Sequence, residues 1–219
     1  MNDKNWHELP NTADFFRLNP AGMKAWTRDR EKGSSIFLSL SDHARIALIA
    51  SIIDTWLEDG DLNRAMAGGA LRHAWDSEPY VGGIRIGSYI SSAVSSLEDA
   101  TFFTLEEFIE EWGAHLMSST EEREFNTMNF PLTVYRGGTG VINKVASGVS
   151  WTLNREVASF YAHEWPRRWG ITAEPVILSA RVDESEAFAF LNDRGEAEIL
   201  IPYPSDLTAL KIYPSISEA

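Results

Sequence analysis

Hydrophobic positions recur along this chain at two different periods, and the change comes near Phe130-Pro131. Before that point the spacing is helical. From Ser41-Asp42-His43, which reads as a helix start, Ile46, Ile49, Ile53, Trp56 and Leu57 return on one face until Gly60 ends the run. Thr104-Leu105-Glu106-Glu107 has the Thr-x-x-Glu form of a capping box, and Leu105, Phe108, Ile109, Trp112 and Leu116 then share a face. Residues 63–75, 88–97 and 119–128 are further helix candidates, with Gly68-Gly69 and Gly82-Gly83 as breaks. After Pro131 the runs are short and strand-like. Residues 132–136 read as a strand that ends on an arginine and is closed by Gly137-Gly138-Thr139-Gly140. Residues 148–152 form a second strand, and Asn154 caps a helix containing Val157, Ala158, Phe160 and Tyr161, which Pro166 terminates. Residues 175–182, 187–191, 196–202 and 207–213 complete a β-rich half. The expectation is an α+β protein, with a helical part over 1–129 packed on a β-rich part over 130–219, two lobes sharing one core.

Composition narrows what such a protein does. Nineteen Lys and Arg against 32 Asp and Glu give a net charge of −13 over 219 residues, which repels phosphate backbones and leaves no electrostatic footprint for nonspecific nucleic-acid binding. With no cysteine there is neither disulfide nor thiolate metal site, as suits a reducing cytoplasm. The N-terminus lacks a basic segment followed by an apolar one, and the apolar stretch around residues 44–53 is too short to cross a bilayer, so a soluble chain without a membrane partner is expected. His7, His43, His73, His115 and His163 show no zinc-binding spacing, and Gly137-Gly138-Thr139-Gly140 lacks the lysine of a nucleotide-binding loop, so no metal is expected.

Three segments of the β-rich half carry candidate chemistry. In Tyr135-Arg136-Gly137 a permanently charged planar fork stands next to a backbone that a phosphate-bearing ligand can approach; a surface arginine in a turn gives the same pattern. Strand alternation puts the Ser150 and Thr152 hydroxyls on one face and Trp151 on the other. Glu196 and Glu198 follow the turn signal Asn192-Asp193-Arg194-Gly195. They share a face if the strand begins at Glu196 and diverge if Glu196 is still in the turn. Two carboxylates so close need cations or a substrate beside them, or else belong to a solvated edge.

In order and context these segments resemble the arginine–serine–glutamate class of ADP-ribosyltransferases, which includes bacterial toxins, phage-encoded enzymes and animal ectoenzymes. That class has an aromatic-Arg strand, a Ser-x-Ser/Thr strand followed by a helix, and a Glu/Gln-x-Glu strand, and the likeness spans residues 132–202. It implies a split β-sandwich that binds NAD as substrate. Arg136 would grip a phosphate or the nicotinamide ribose, and the Gly137 backbone would bond the nicotinamide amide. Ser150 would position Glu198, with Thr152 beside it in the NAD site. Glu198 would stabilise the oxocarbenium-like ribose, and Glu196 would hold the acceptor, which the Glu-x-Glu form associates with protein arginine. Arg167 or Arg168, in Pro166-Arg167-Arg168-Trp169-Gly170 at the place of the family's phosphate–nicotinamide loop, would take the diphosphate. Phe188, Phe190 and Asn192 fall in the acceptor-recognition loop, where the two phenylalanines either dock a protein target or belong to the core. The activity so implied is mono-ADP-ribosyl transfer with release of nicotinamide. NAD hydrolysis, or a noncatalytic interaction module, is the alternative.

Overall fold

A computed structural model describes residues 23–57, 62–77, 80–81, 84–85, 89–94, 104–202, 204–205 and 211–213. The chain divides into two compact units, Met1–Leu105 and Glu106–Ala219. Its fold class is α+β, as expected. No described helix is long and apolar enough to cross a membrane.

The first unit contains α1 (Met23–Ser39), α2 (Asp42–Leu57), α3 (Arg64–Asp76), the paired two-residue strands β1 (Tyr80–Val81) and β2 (Ile84–Arg85), and α4 (Tyr89–Val94). Of the stripe expected in α2, Ile49 and Ile53 are buried, Ile46 and Trp56 are half-buried and Leu57 is exposed, while Leu48 and Ile52 complete the buried face. Asn63 caps α3, its side chain accepting from the Met66 N–H at 3.1 Å. Gly68-Gly69 does not break this helix, contrary to expectation, because both glycines are buried inside it. A Cβ on Gly69 would lie 2.0 Å from the Arg30 carbonyl oxygen, and one on Gly33 would lie 1.9 Å from that of Met66. The two glycines therefore let α1 and α3 touch backbone to backbone, which offsets their helix penalty of about 1 kcal/mol each. Helix α1 buries Gly33, Ile36 and Phe37 on one face, which the sequence pattern does not single out because Asp29 stands on the same face. The expected breaks at Gly60 and Gly82-Gly83 lie outside the described residues.

The second unit begins with α5 (Leu105–Leu116) and α6 (Ser119–Phe125). There follow β3 (Leu132–Thr139), α7 (Ile142–Ala146), β4 (Ser150–Thr152), α8 (Arg155–Arg168), β5 (Pro175–Val182), a 3-10 turn at Glu184–Glu186, β6 (Ala189–Leu191), β7 (Glu198–Leu200) and β8 (Lys211–Tyr213). The six strands form one sheet in the order β6-β7-β4-β3-β5-β8, each neighbouring pair antiparallel. The division between units therefore falls well before residue 130. Helices α5 and α6 pack with the sheet: Gly113 lies against Phe188, and the Phe190 N–H meets the Met117 sulfur at 3.3 Å. Phe130-Pro131 marks a change of secondary structure inside one unit.

Strand β3 does not end at Arg136. It runs on through Gly137 and Gly138, which pair with Ile177 and Val176 of β5. A Cβ on Gly137 would sit 1.7 Å from the Ala158 carbonyl oxygen, so this glycine admits the backbone of α8. Tyr135 packs on the same face, against Ala158, Ala162 and Ile177. On the opposite face Gly138 lies under Val145 of α7. The sheet is thus covered at β3 by α8 on one side and by α7 on the other.

Helix α8 also outruns its expected end. Pro166 lies inside its last turn, and Arg167 and Arg168 are helical. The helix stops in a Schellman motif: the Ile171 N–H bonds the Pro166 carbonyl at 2.9 Å, the Gly170 N–H bonds that of Arg167 at 3.2 Å, and Gly170 takes a φ of 67°.

Candidate functional site

Tyr135 of β3, Thr152 of β4, Glu198 of β7 and Leu191 of β6 lie on one register line across four adjacent strands. Residues directly opposite in antiparallel strands share a face. Tyr135, Thr152 and Glu198 therefore face the side covered by α8. Glu198 is buried there, with 5% of its surface exposed.

Glu196 precedes β7 and is not part of the strand. The residue between the two glutamates, Ala197, has a φ of 47°, in the left-handed region that costs a side-chain-bearing residue about 1 kcal/mol. Simple alternation is therefore broken. The carboxylates nevertheless converge, because Arg194 Nη2 stands 2.8 Å from Glu196 Oε2 and 3.8 Å from Glu198 Oε2. The other oxygen of Glu196 accepts from the Tyr161 hydroxyl of α8 at 2.8 Å. Burial, reinforced by that bond and by the charge of Glu196, pushes the Tyr161 hydroxyl well above the ordinary tyrosine range, so it stays a donor.

The strained turn is held from several directions. The Gly195 N–H bonds the Asn192 carbonyl at 2.9 Å, and the Ala197 N–H bonds the Asn192 side chain at 3.1 Å. The Ala197 carbonyl accepts from the Leu153 N–H at 2.9 Å, and the Thr152 hydroxyl donates to the Glu196 carbonyl at 2.5 Å. Below the turn lies Glu121. One of its oxygens accepts the Ser118 N–H at 2.7 Å in a capping box, and the other accepts the Asn192 N–H at 2.6 Å. This buried carboxylate fixes the start of the turn to the start of α6.

Arg136 is placed differently from Glu198. Alternation turns it from the Tyr135 face towards α7, where its Nε donates to the Val145 carbonyl at 2.7 Å and a second nitrogen donates to the Ser150 carbonyl. Gly148 makes room for it, since a Cβ there would fall 1.8 Å from a guanidinium nitrogen. Strand β3 pairs with β4 only at Tyr135–Thr152 but with β5 along its whole length, and the arginine ties the two strands beyond that single pair. Burial lowers its pKa to about 10, an effect that the charge of Glu198 opposes, and the group remains a cation at neutral pH.

Of the residues singled out from the sequence, Glu196, Glu198 and Thr152 come together, whereas Ser150 pairs with Leu200 and gives its carbonyl to Arg136. Gly137 is used by α8, so its close approach is to a helix backbone. Arg167 and Arg168 lie in the last turn of α8 and not in a loop. Arg167 is exposed and pairs with Glu164 at 3.2 Å, whereas Arg168 folds back over the Phe160 ring at 5.1 Å. Phe190 is core and Phe188 is half-buried, which favours the packing reading of both over a docking one. Three participants escaped sequence reasoning. Glu121 carries a legible signal in Ser118-x-x-Glu121, Tyr161 reads as an apolar helix member, and Arg194 reads as part of a turn.

No family model, no curated protein and no solved structure matches this chain.

Proposed function

We propose that the second unit is a mono-ADP-ribosyltransferase that cleaves NAD and transfers ADP-ribose to an arginine. The observation that carries the reading is a guanidinium seated between two carboxylates, Glu196 at 2.8 Å and buried Glu198 at 3.8 Å, with Glu198 on the register line through Thr152 and Tyr135. Loss of nicotinamide leaves positive charge on the ribose, which a preorganised carboxylate stabilises, as in glycoside hydrolysis. Glu198 takes that role. A guanidinium becomes a nucleophile only as it yields a proton, and Glu196 both holds it and receives the proton. Tyr161 and the Asn192–Ala197 turn fix Glu196 in place. Arg136 is a positioning residue, holding Ser150 by its carbonyl.

The test is incubation of the full chain with labelled NAD and a cell lysate, reading nicotinamide release and the sites of labelling by mass spectrometry. Wild type is expected to release nicotinamide and label arginine. Glu198→Ala should lose both by at least about a hundredfold, whereas Glu196→Gln should keep nicotinamide release and lose arginine labelling. A wild-type chain that neither releases nicotinamide nor labels anything would refute the proposal.

A further inference from the structure

The guanidinium between the carboxylates belongs to the chain itself. Arg194 enters from the same turn that supplies Glu196, and that turn is held by Asn192, Glu121 and Leu153. Two of its residues, Gly195 and Ala197, have left-handed φ angles of 69° and 47°. Such a conformation persists only when its surroundings over-determine it. The geometry therefore presents Nη2 of Arg194 to the carboxylate pair as an arginine from another protein would have to be presented. Arg194 is also 43% exposed, leaving room for a group attached to it.

We propose that Arg194 is the chain's own acceptor, mono-ADP-ribosylated in cis at Nη2, and that until modified it occupies the position of an external arginine. This rests on the transferase reading above. In the step, the bond between ribose C1′ and the nicotinamide nitrogen of NAD breaks, and its electron pair leaves with nicotinamide, whose ring becomes neutral. The lone pair of Arg194 Nη2 forms the new bond to C1′. The displaced proton passes to Glu196, and the substituted guanidinium keeps its charge. No reactant besides NAD is needed.

The experiment uses the purified full chain and NAD alone, with no lysate. One ADP-ribose per chain is expected, mapped to Arg194 by peptide fragmentation, at a rate per chain that does not change on dilution. A Glu198→Gln chain mixed with wild type should stay unlabelled. Arg194→Lys should lose the label and transfer ADP-ribose to a small guanidino compound at ~0.1 mM about tenfold faster than wild type, since a tethered competitor acts at millimolar effective concentration. Nicotinamide release with Arg194 unlabelled would overturn the inference while leaving the transferase reading intact. Labelling that slows on dilution or that appears on the Glu198→Gln chain, or an Arg194→Lys chain no faster than wild type, would overturn it likewise. No nicotinamide release under any condition would overturn both.

Discussion

Replacing Glu121 by glutamine tests whether a buried carboxylate holds the turn over residues 192–197. Its two oxygens accept two backbone N–H groups, from Ser118 at 2.7 Å and Asn192 at 2.6 Å, and only 4% of the residue is exposed. Glutamine has one acceptor oxygen. If that oxygen keeps the Asn192 N–H, the amide NH2 faces the Ser118 N–H, donor against donor. One charge-assisted bond is lost, at roughly 2 kcal/mol, and a buried donor is left unmatched, at about 1 kcal/mol more. The total of about 3 kcal/mol lowers the melting temperature of a unit this size by on the order of 10 °C. Urea and thermal denaturation followed by near-ultraviolet circular dichroism measure it. Glu122→Gln, an exposed neighbour on the same helix, serves as the control and should stay within about 0.5 kcal/mol of wild type. If the two variants melt together, the carboxylate does not hold the turn and the account of Asn192 is wrong.

Gly137→Ala places a Cβ 1.7 Å from the Ala158 carbonyl oxygen, so α8 must retreat; a loss of about 3 kcal/mol in urea denaturation is expected, together with the Tyr161–Glu196 bond, and unchanged stability would show that α8 does not sit this close. Gly148→Ala expels the Arg136 guanidinium from its two carbonyl partners and should cost about 2 kcal/mol, and a crystal structure of the variant with Arg136 unmoved would contradict the clamp. Tyr161 has a folded-state pKa raised above the unfolded value of 10.0, so its contribution is intact below pH 10 and fades at higher pH, where the unfolded chain ionises first. Relative to Tyr161→Phe, wild type should then lose stability as the pH rises above 10, and parallel stability curves would rule this out.

Much of the second unit was legible because its elements obey one period each. The β5 run, the Asn154 cap of α8 and the amphipathic face of α5 stand where the pattern puts them. What periodicity could not show was where glycine serves packing and not turning. Gly137, Gly138, Gly68 and Gly69 read as breaks, yet each lies inside an element. At Gly137 and Gly69 the reason is another backbone at the missing Cβ. Local sequence names no such partner, because the contact is made by a distant segment. Pro166 misled in the same way: it sits in a last turn whose end is set by Gly170.

The acidic pair shows the limit at its sharpest. Neither branch of the strand-or-turn alternative describes it, since Glu196 lies in the turn and the carboxylates still meet. Strand alternation predicts convergence at positions two apart only when both backbones are extended. Here Ala197 is left-handed, and Gly195 before it as well, so the chain curls and brings the side chains of positions 194, 196 and 198 around one point. The charges then sort themselves. A cation at 194 neutralises two anions that would otherwise repel, and the Tyr161 donor fixes the more exposed one. It follows that Arg-Gly-Glu-Ala-Glu must be read as one unit: the same turn that gathers the carboxylates also delivers the guanidinium that pairs with both. A glutamate pair preceded by serine on an identical fold would lack that internal cation, and its two carboxylates would repel each other.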